Sequence, residues 1–105
     1  MPDEKLIKQG EFFSRITGAL IDCTPEHWFD FSLALDEGDS GMVHVISSNE
    51  KHNDVVSPSE ALFIATREFQ LYQQDISEAL KSAQFKVWMD DDNNWKYKVE
   101  LGYKA

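Results

Sequence analysis

Asp90, Asp92 and Asn94 stand at the one-three-five spacing with which a calcium loop opens. Such a loop needs glycine at its sixth position and a bidentate glutamate at its twelfth. Trp95 and Leu101 occupy those positions, so an EF-hand is excluded and a flexible acidic turn is the better description. The imidazoles of His27, His44 and His52 and the thiol of Cys23 show no zinc spacing: there is no paired cysteine motif and no histidine three to five residues from another. Cys23 follows Asp22 in an acidic stretch, which raises a thiol pKa and suppresses its nucleophilicity. No serine sits in a Gly-x-Ser-x-Gly elbow, and no glycine-rich loop precedes a helix to cradle phosphate. The expectation is a protein that is not an enzyme and that uses neither metal nor cofactor. An enzyme whose carboxylates are assembled only in three dimensions would need a concave pocket with raised carboxyl pKa values.

What the sequence offers in quantity is carboxylate and tryptophan. Its 105 residues carry 10 Lys+Arg against 19 Asp+Glu, a formal net charge of −9. From Ile16 to Thr66 nine acids face one base, Lys51, so this half carries −8 and the remainder only −1. That balance argues against direct nucleic-acid binding and against an anionic membrane surface. It fits either a soluble acidic protein or a surface that attracts a basic partner. The carboxylates that could do so are Asp30, Asp36, Glu37 and Asp39 around one turn, and Asp90, Asp91 and Asp92 at another.

Along the chain the apolar period changes three times. Leu6, Phe13, Ile16 and Leu20, widened by Phe12 and Ile21, mark a helix from about Asp3 to Ile21 that Thr24-Pro25 closes. His27 to Asp36 alternates with period two, with Phe29, Phe31, Leu33 and Leu35 on one face and Trp28, Asp30, Ser32, Ala34 and Asp36 on the other. Glu37 to Gly41 reads as a hairpin turn, Met42 to Ser47 as the returning strand, and Ser48 to Val56 as loop. Ser57-Pro58-Ser59-Glu60 has the form of a capping box, followed by Leu62, Ala65, Phe69, Tyr72, Ile76, Ala79 and Ala83 at helical spacing. Phe85, Val87 and Met89 then alternate with Lys86, Trp88 and Asp90. After the turn Asp91–Asn94, Trp95, Tyr97, Val99, Leu101 and Tyr103 alternate with Lys96, Lys98, Glu100 and Gly102.

The expected fold is a single α+β domain over residues 1–105, in helix-hairpin-helix-hairpin order. About four antiparallel strands would carry both helices on one face. The other face would show Trp28 and Trp88 to solvent, among Asp30, Ser32, Lys86, Lys96 and Lys98. Tryptophans set among charges are either anchors for a partner or cross-strand packing, and both remain open at this point. Trp95, in phase with Tyr97 and Val99, reads as core. Met1-Pro2-Asp3-Glu4-Lys5 lacks the basic and apolar regions of a signal peptide, no apolar run reaches membrane-spanning length, and the lone Cys23 forms no internal disulfide. A cytoplasmic location is expected.

Several of these segments together resemble the YezG-like family of bacterial immunity proteins. They are Thr24-Pro25-Glu26-His27-Trp28 leading into an alternating strand, Glu37-Gly38-Asp39-Ser40-Gly41 before the return strand, Leu62-Phe63 and Arg67-Glu68-Phe69 on the second helix, and Lys86-Val87 followed by Trp95-Lys96-Tyr97-Lys98-Val99. The resemblance implies a small acidic antitoxin, of the kind found in contact-dependent inhibition systems, that neutralises a toxin, often a nuclease. It carries over no active site and no contact residues. A nuclease needs a basic groove for phosphate, and carboxylates offered to that groove steer association: Asp30, Asp36, Glu37 and Asp39 of one hairpin with Trp28 nearby as an apolar anchor, or the acidic turn Asp90-Asp91-Asp92 beside Trp88. The alternatives are an acidic secretion chaperone for an effector protein, which would need an exposed apolar groove, and a subunit that binds some other basic protein. Oligomeric state is open, since hairpins leave sheet edges free to pair.

Overall fold

The alternation of Phe31, Leu33 and Leu35 with Ser32 and Ala34 makes a strand with one apolar face, and such a face needs a partner layer. In the computed structural model, which describes residues 4–39, 41–51 and 54–104, two helices provide it. The elements are α1 (Glu4–Cys23), β1 (Asp30–Gly38), β2 (Gly41–Ser48), α2 (Glu60–Asp75), β3 (Leu80–Met89) and β4 (Trp95–Tyr103). The fold is α+β, with two helices and one four-stranded antiparallel sheet in the order β2-β1-β3-β4. Along the chain one helix and two strands are followed by a second helix and two strands. The helix-hairpin-helix-hairpin description is corrected here. Two hairpins do not by themselves make the sheet, whose central ladder joins β1 to β3 across α2, with Phe31 opposite Val87, Leu33 opposite Phe85 and Leu35 opposite Ala83.

Those six side chains are buried with Phe12, Ile16 and Leu20 of α1 and Leu62, Ala65 and Phe69 of α2 in one cluster. Full burial of each large member is worth about 1.5–3 kcal/mol. Phe13 joins the layers, its ring edge-on to Phe69 at 5.4 Å and to Phe85 at 5.9 Å. Leu6, expected on this stripe, is exposed instead. The face that meets α2 takes in Gln9, whose Nε2 donates to Gln73 Oε1 at 2.7 Å within the buried interior.

Several expected boundaries move. The N-cap of α2 is Ser59, two residues beyond Ser57, and its hydroxyl accepts from Leu62 N–H at 3.2 Å. Ser59 is extended at φ −78° and ψ 163°, so the buried stripe starts at Leu62 in the first turn. The helix also stops early, at Asp75. Ser77 adopts φ 61°, which no right-handed helix continues through, and Ala83 belongs to β3. Alanines at Ala79 and Ala83 satisfy helical spacing, but Ala83 equally satisfies the alternation with Phe85 and Val87, and that alternation prevails. The expected helix start at Asp3 lies outside the described residues, as do Ser40 and His52.

The third correction concerns Trp28. β1 begins at Asp30 rather than His27, because Trp28 N–H donates to the Pro25 carbonyl at 3.0 Å and closes a turn. Residues inside a turn are released from the strand's alternation. Trp28 therefore swings into the core at 2% exposure, and Phe29, expected inside, is 46% exposed.

Candidate functional site

The antiparallel register gathers several chain ends at one end of the sheet. Asp30 opposes Trp88, Met89 opposes Trp95, and Asn49 N–H donates to the Asp30 carbonyl at 2.9 Å. The end of α1 and the connection Thr24–Phe29 arrive at the same place. They line a groove of about 380 Å³ with Met89 and Trp95. Phe29 forms its aromatic wall, stacked on Trp95 with ring centres 6.5 Å apart and planes 24° apart, while Trp95 meets Phe31 edge-on at 5.6 Å. Trp95 is thus half core and half groove.

Carboxylates gather at this end of the sheet. Asp22 and Glu26 line the groove, Asp91 and Asp92 project from the β3–β4 turn, and all four are exposed. Among the described residues these four carboxylates enter no hydrogen bond or ion pair, so their charge is available to a partner. Others at this end are committed to the fold. Glu50 Oε1 accepts from Phe29 N–H at 2.8 Å, and Asp30 Oδ1 accepts from Asn49 Nδ2 at 2.8 Å. Asp90 Oδ1 holds the turn by accepting from Asp92 N–H at 2.9 Å and Asn94 N–H at 3.0 Å, with Lys96 Nζ 3.8 Å from its other oxygen.

The remaining expected residues lie elsewhere. Asp36, Glu37 and Asp39 are at the far end of β1, about 25 Å along the extended chain from Trp28. Trp28 is therefore neither exposed nor beside that hairpin, and the pairing of the two is corrected. The hairpin carboxylates are also partly offset: Glu37 Oε1 is 3.1 Å from Lys104 Nζ, and Lys81 lines the same shallow groove. Trp88 lies on the outer face as expected, half-buried, but its neighbours there are Lys86 and Lys98 with Asp30 and Asn49. The acidic turn does not frame it. Sequence reading missed Asp22, Glu26, Phe29 and Trp95. The signal for Phe29 and Trp95 was present only as Thr24-Pro25, which announces a turn without saying which later residue resumes the alternation.

Burial shifts the proton affinity of Cys23 and of His44. Burial, seconded by the Asp22 charge and offset in part by a backbone hydrogen bond at Ser59, pushes the Cys23 thiol above its ordinary pKa. Its Sγ donates to the Leu20 carbonyl at 3.4 Å. Burial depresses the His44 pKa below the usual histidine range. His44 Nδ1 lies 3.1 Å from the Met42 carbonyl and Nε2 lies 2.8 Å from the Thr66 hydroxyl, which itself donates to the Phe63 carbonyl at 3.1 Å. Among the described residues no three His, Cys, Asp or Glu side chains converge as metal ligands, and no helix is long and apolar enough to cross a membrane. Sequence comparison with known families and with characterised proteins finds no match to this chain.

Proposed function

We propose that this chain is an immunity protein that binds a basic toxin domain, most simply a nuclease, and covers its active site or substrate groove without transforming anything. The observation that carries the reading is the acidic end of the sheet, where Asp22 and Glu26 line the groove walled by the stacked pair Phe29–Trp95 and Asp91 and Asp92 stand exposed in the turn that leads into Trp95. The carboxylates supply long-range attraction, and complementary charge raises association rates by about tenfold to a thousandfold. Exposed ion pairs add only about 0–1 kcal/mol each, so affinity falls to the aromatic pair, whose ring faces suit an arginine or lysine of the partner. The Asp36, Glu37 and Asp39 hairpin, with Lys81 and Lys104 beside it, is the weaker candidate.

The test is co-expression with the toxin encoded next to this gene, followed by association kinetics. Protection of the cells and a complex that survives gel filtration support the reading; cell death with no complex ends it. Replacing Asp22 and Asp91 by Asn together with Glu26 by Gln should slow association about tenfold at low salt, an effect that shrinks at high salt. The same neutralisation of Asp36, Glu37 and Asp39 should do less. The reverse ranking would move the interface to the hairpin. A secretion chaperone is the second reading, favoured by a largely apolar groove of about 460 Å³ between α2 and β2. It requires the bound partner to be unfolded, which hydrogen exchange of the complex distinguishes.

A further inference from the structure

The free edge of β2 is unlike the other edge of the sheet. Edge strands are usually blunted by charge or proline, and β4 carries Lys96, Lys98 and Glu100. β2, Gly-Met-Val-His-Val-Ile-Ser-Ser, carries no carboxylate, lysine, arginine or proline. The bond from Asn49 N–H to the Asp30 carbonyl fixes the phase of its ladder: Val43, Val45 and Ser47 turn their main-chain groups toward β1. Met42, His44, Ile46 and Ser48 therefore turn theirs outward. Apolar side chains flank this open row on both sides. Val43 and Val45 stand on the outer face at 53% and 52% exposure, and Phe63 and Ile64 of α2 overhang the groove on the helix side.

We infer that this edge takes a second copy of the chain, β2 against β2 about a two-fold axis through Val45, making one continuous eight-stranded sheet. The register is self-complementary. An axis at Val45 sets His44 opposite Ile46 and Met42 opposite Ser48 of the second copy, so every outward-facing residue of the strand meets another. Val45 meets itself in a non-hydrogen-bonded position, where side chains come closest. Both helical layers stay on the same face, which brings Phe63 and Ile64 of the two copies toward each other.

Charge selects this occupant as well. The Arg67 guanidinium stands against Gly41, its Nη1 3.9 Å from where a Cβ on that glycine would lie, and it enters no ion pair among the described residues. Gly41 falls opposite Asn49 of the second copy, so each Arg67 approaches the exposed carboxylate of Glu50 in the other chain, which keeps its charge while its Oε1 accepts from Phe29 N–H, twice by symmetry. The inference is independent of the proposed function, because the paired edge of β2 includes none of the groove residues Asp22, Glu26, Phe29 and Trp95.

Sedimentation equilibrium of the full chain should show a dimer at tens of micromolar, and Val45→Lys, which sets two like charges face to face, should give a monomer with unchanged circular dichroism. A cross-link reads the register itself. In a Cys23→Ala background, Val45→Cys should oxidise to a covalent dimer, and Val43→Cys should not. A mixture of Val43→Cys and Ser47→Cys chains should cross-link, since those positions oppose each other. A chain that stays monomeric at several hundred micromolar overturns the inference. So does equal cross-linking of Val43→Cys and Val45→Cys, or growth beyond the dimer.

Discussion

The Trp28 indole Nε1 donates to Asp54 Oδ2 at 3.2 Å, and the same oxygen lies 2.8 Å from His27 Nε2. One carboxylate from the segment ahead of α2 thus clasps the turn that precedes β1. The bond satisfies the only polar atom of a side chain otherwise sunk against Phe31, with ring centres 6.3 Å apart. This is why Trp28 serves the fold and is unavailable to a partner.

Trp28→Ala should destabilise the domain by about 3–5 kcal/mol, as expected for removal of a large buried aromatic. Asp54→Ala should cost about 1–3 kcal/mol by removing the carboxylate that accepts from the indole N–H. A double-mutant cycle in urea should show positive coupling between the two positions, and additive costs would refute the clasp.

Gln9 and Gln73 form a buried polar contact between the helices, and Gln73 Nε2 also donates to the Glu78 carbonyl at 3.3 Å. Gln73→Ala should lose about 1–3 kcal/mol, because the Gln9 amide is then buried without its acceptor. Replacing both with leucine should recover much of that loss, since no buried amide is then left without a partner and only the part-buried Glu78 carbonyl loses a donor. Thermal denaturation of the three variants decides it.

His44 should make stability fall on mild acidification. Its folded pKa is depressed by burial, so below the unfolded value of about 6.5 the unfolded chain takes up the proton first. The loss begins as pH drops through that value and levels off once the folded ring protonates as well. His44→Gln should flatten this part of the profile between pH 7 and 5, measured by urea unfolding. An unchanged slope would mean that another group is responsible.

Cys23 should react slowly with a thiol reagent at pH 7 in the folded chain and at the ordinary rate in denaturant. Burial raises its pKa and so reduces the thiolate fraction. A folded-state rate equal to that of free cysteine would contradict the partial burial found here.

Much of the architecture was legible in residue order. The alternation through Phe31, Leu33 and Leu35, and again through Phe85 and Val87, identified strands, and Ile16 and Leu20 identified a helix, because side-chain direction follows backbone period locally. Legibility ended where two periods fit the same residues, as at Ala83, and where a turn reset the phase, as between Pro25 and Asp30. The acidic residues could be counted from the sequence, but not located relative to one another.

The sequence by itself determined the charge, the number and kind of elements, and which faces of most strands are apolar, since all of these depend on neighbours a few residues away. Tertiary structure alone decided that Trp28 is core and Phe29 surface, and that Asp22 and Glu26 share an end with Asp91 and Asp92. It also decided that Trp88 stands among lysines. Each of these follows from strand register and chain reversal, which bring together positions up to some seventy residues apart. No local pattern encodes a distance of that kind.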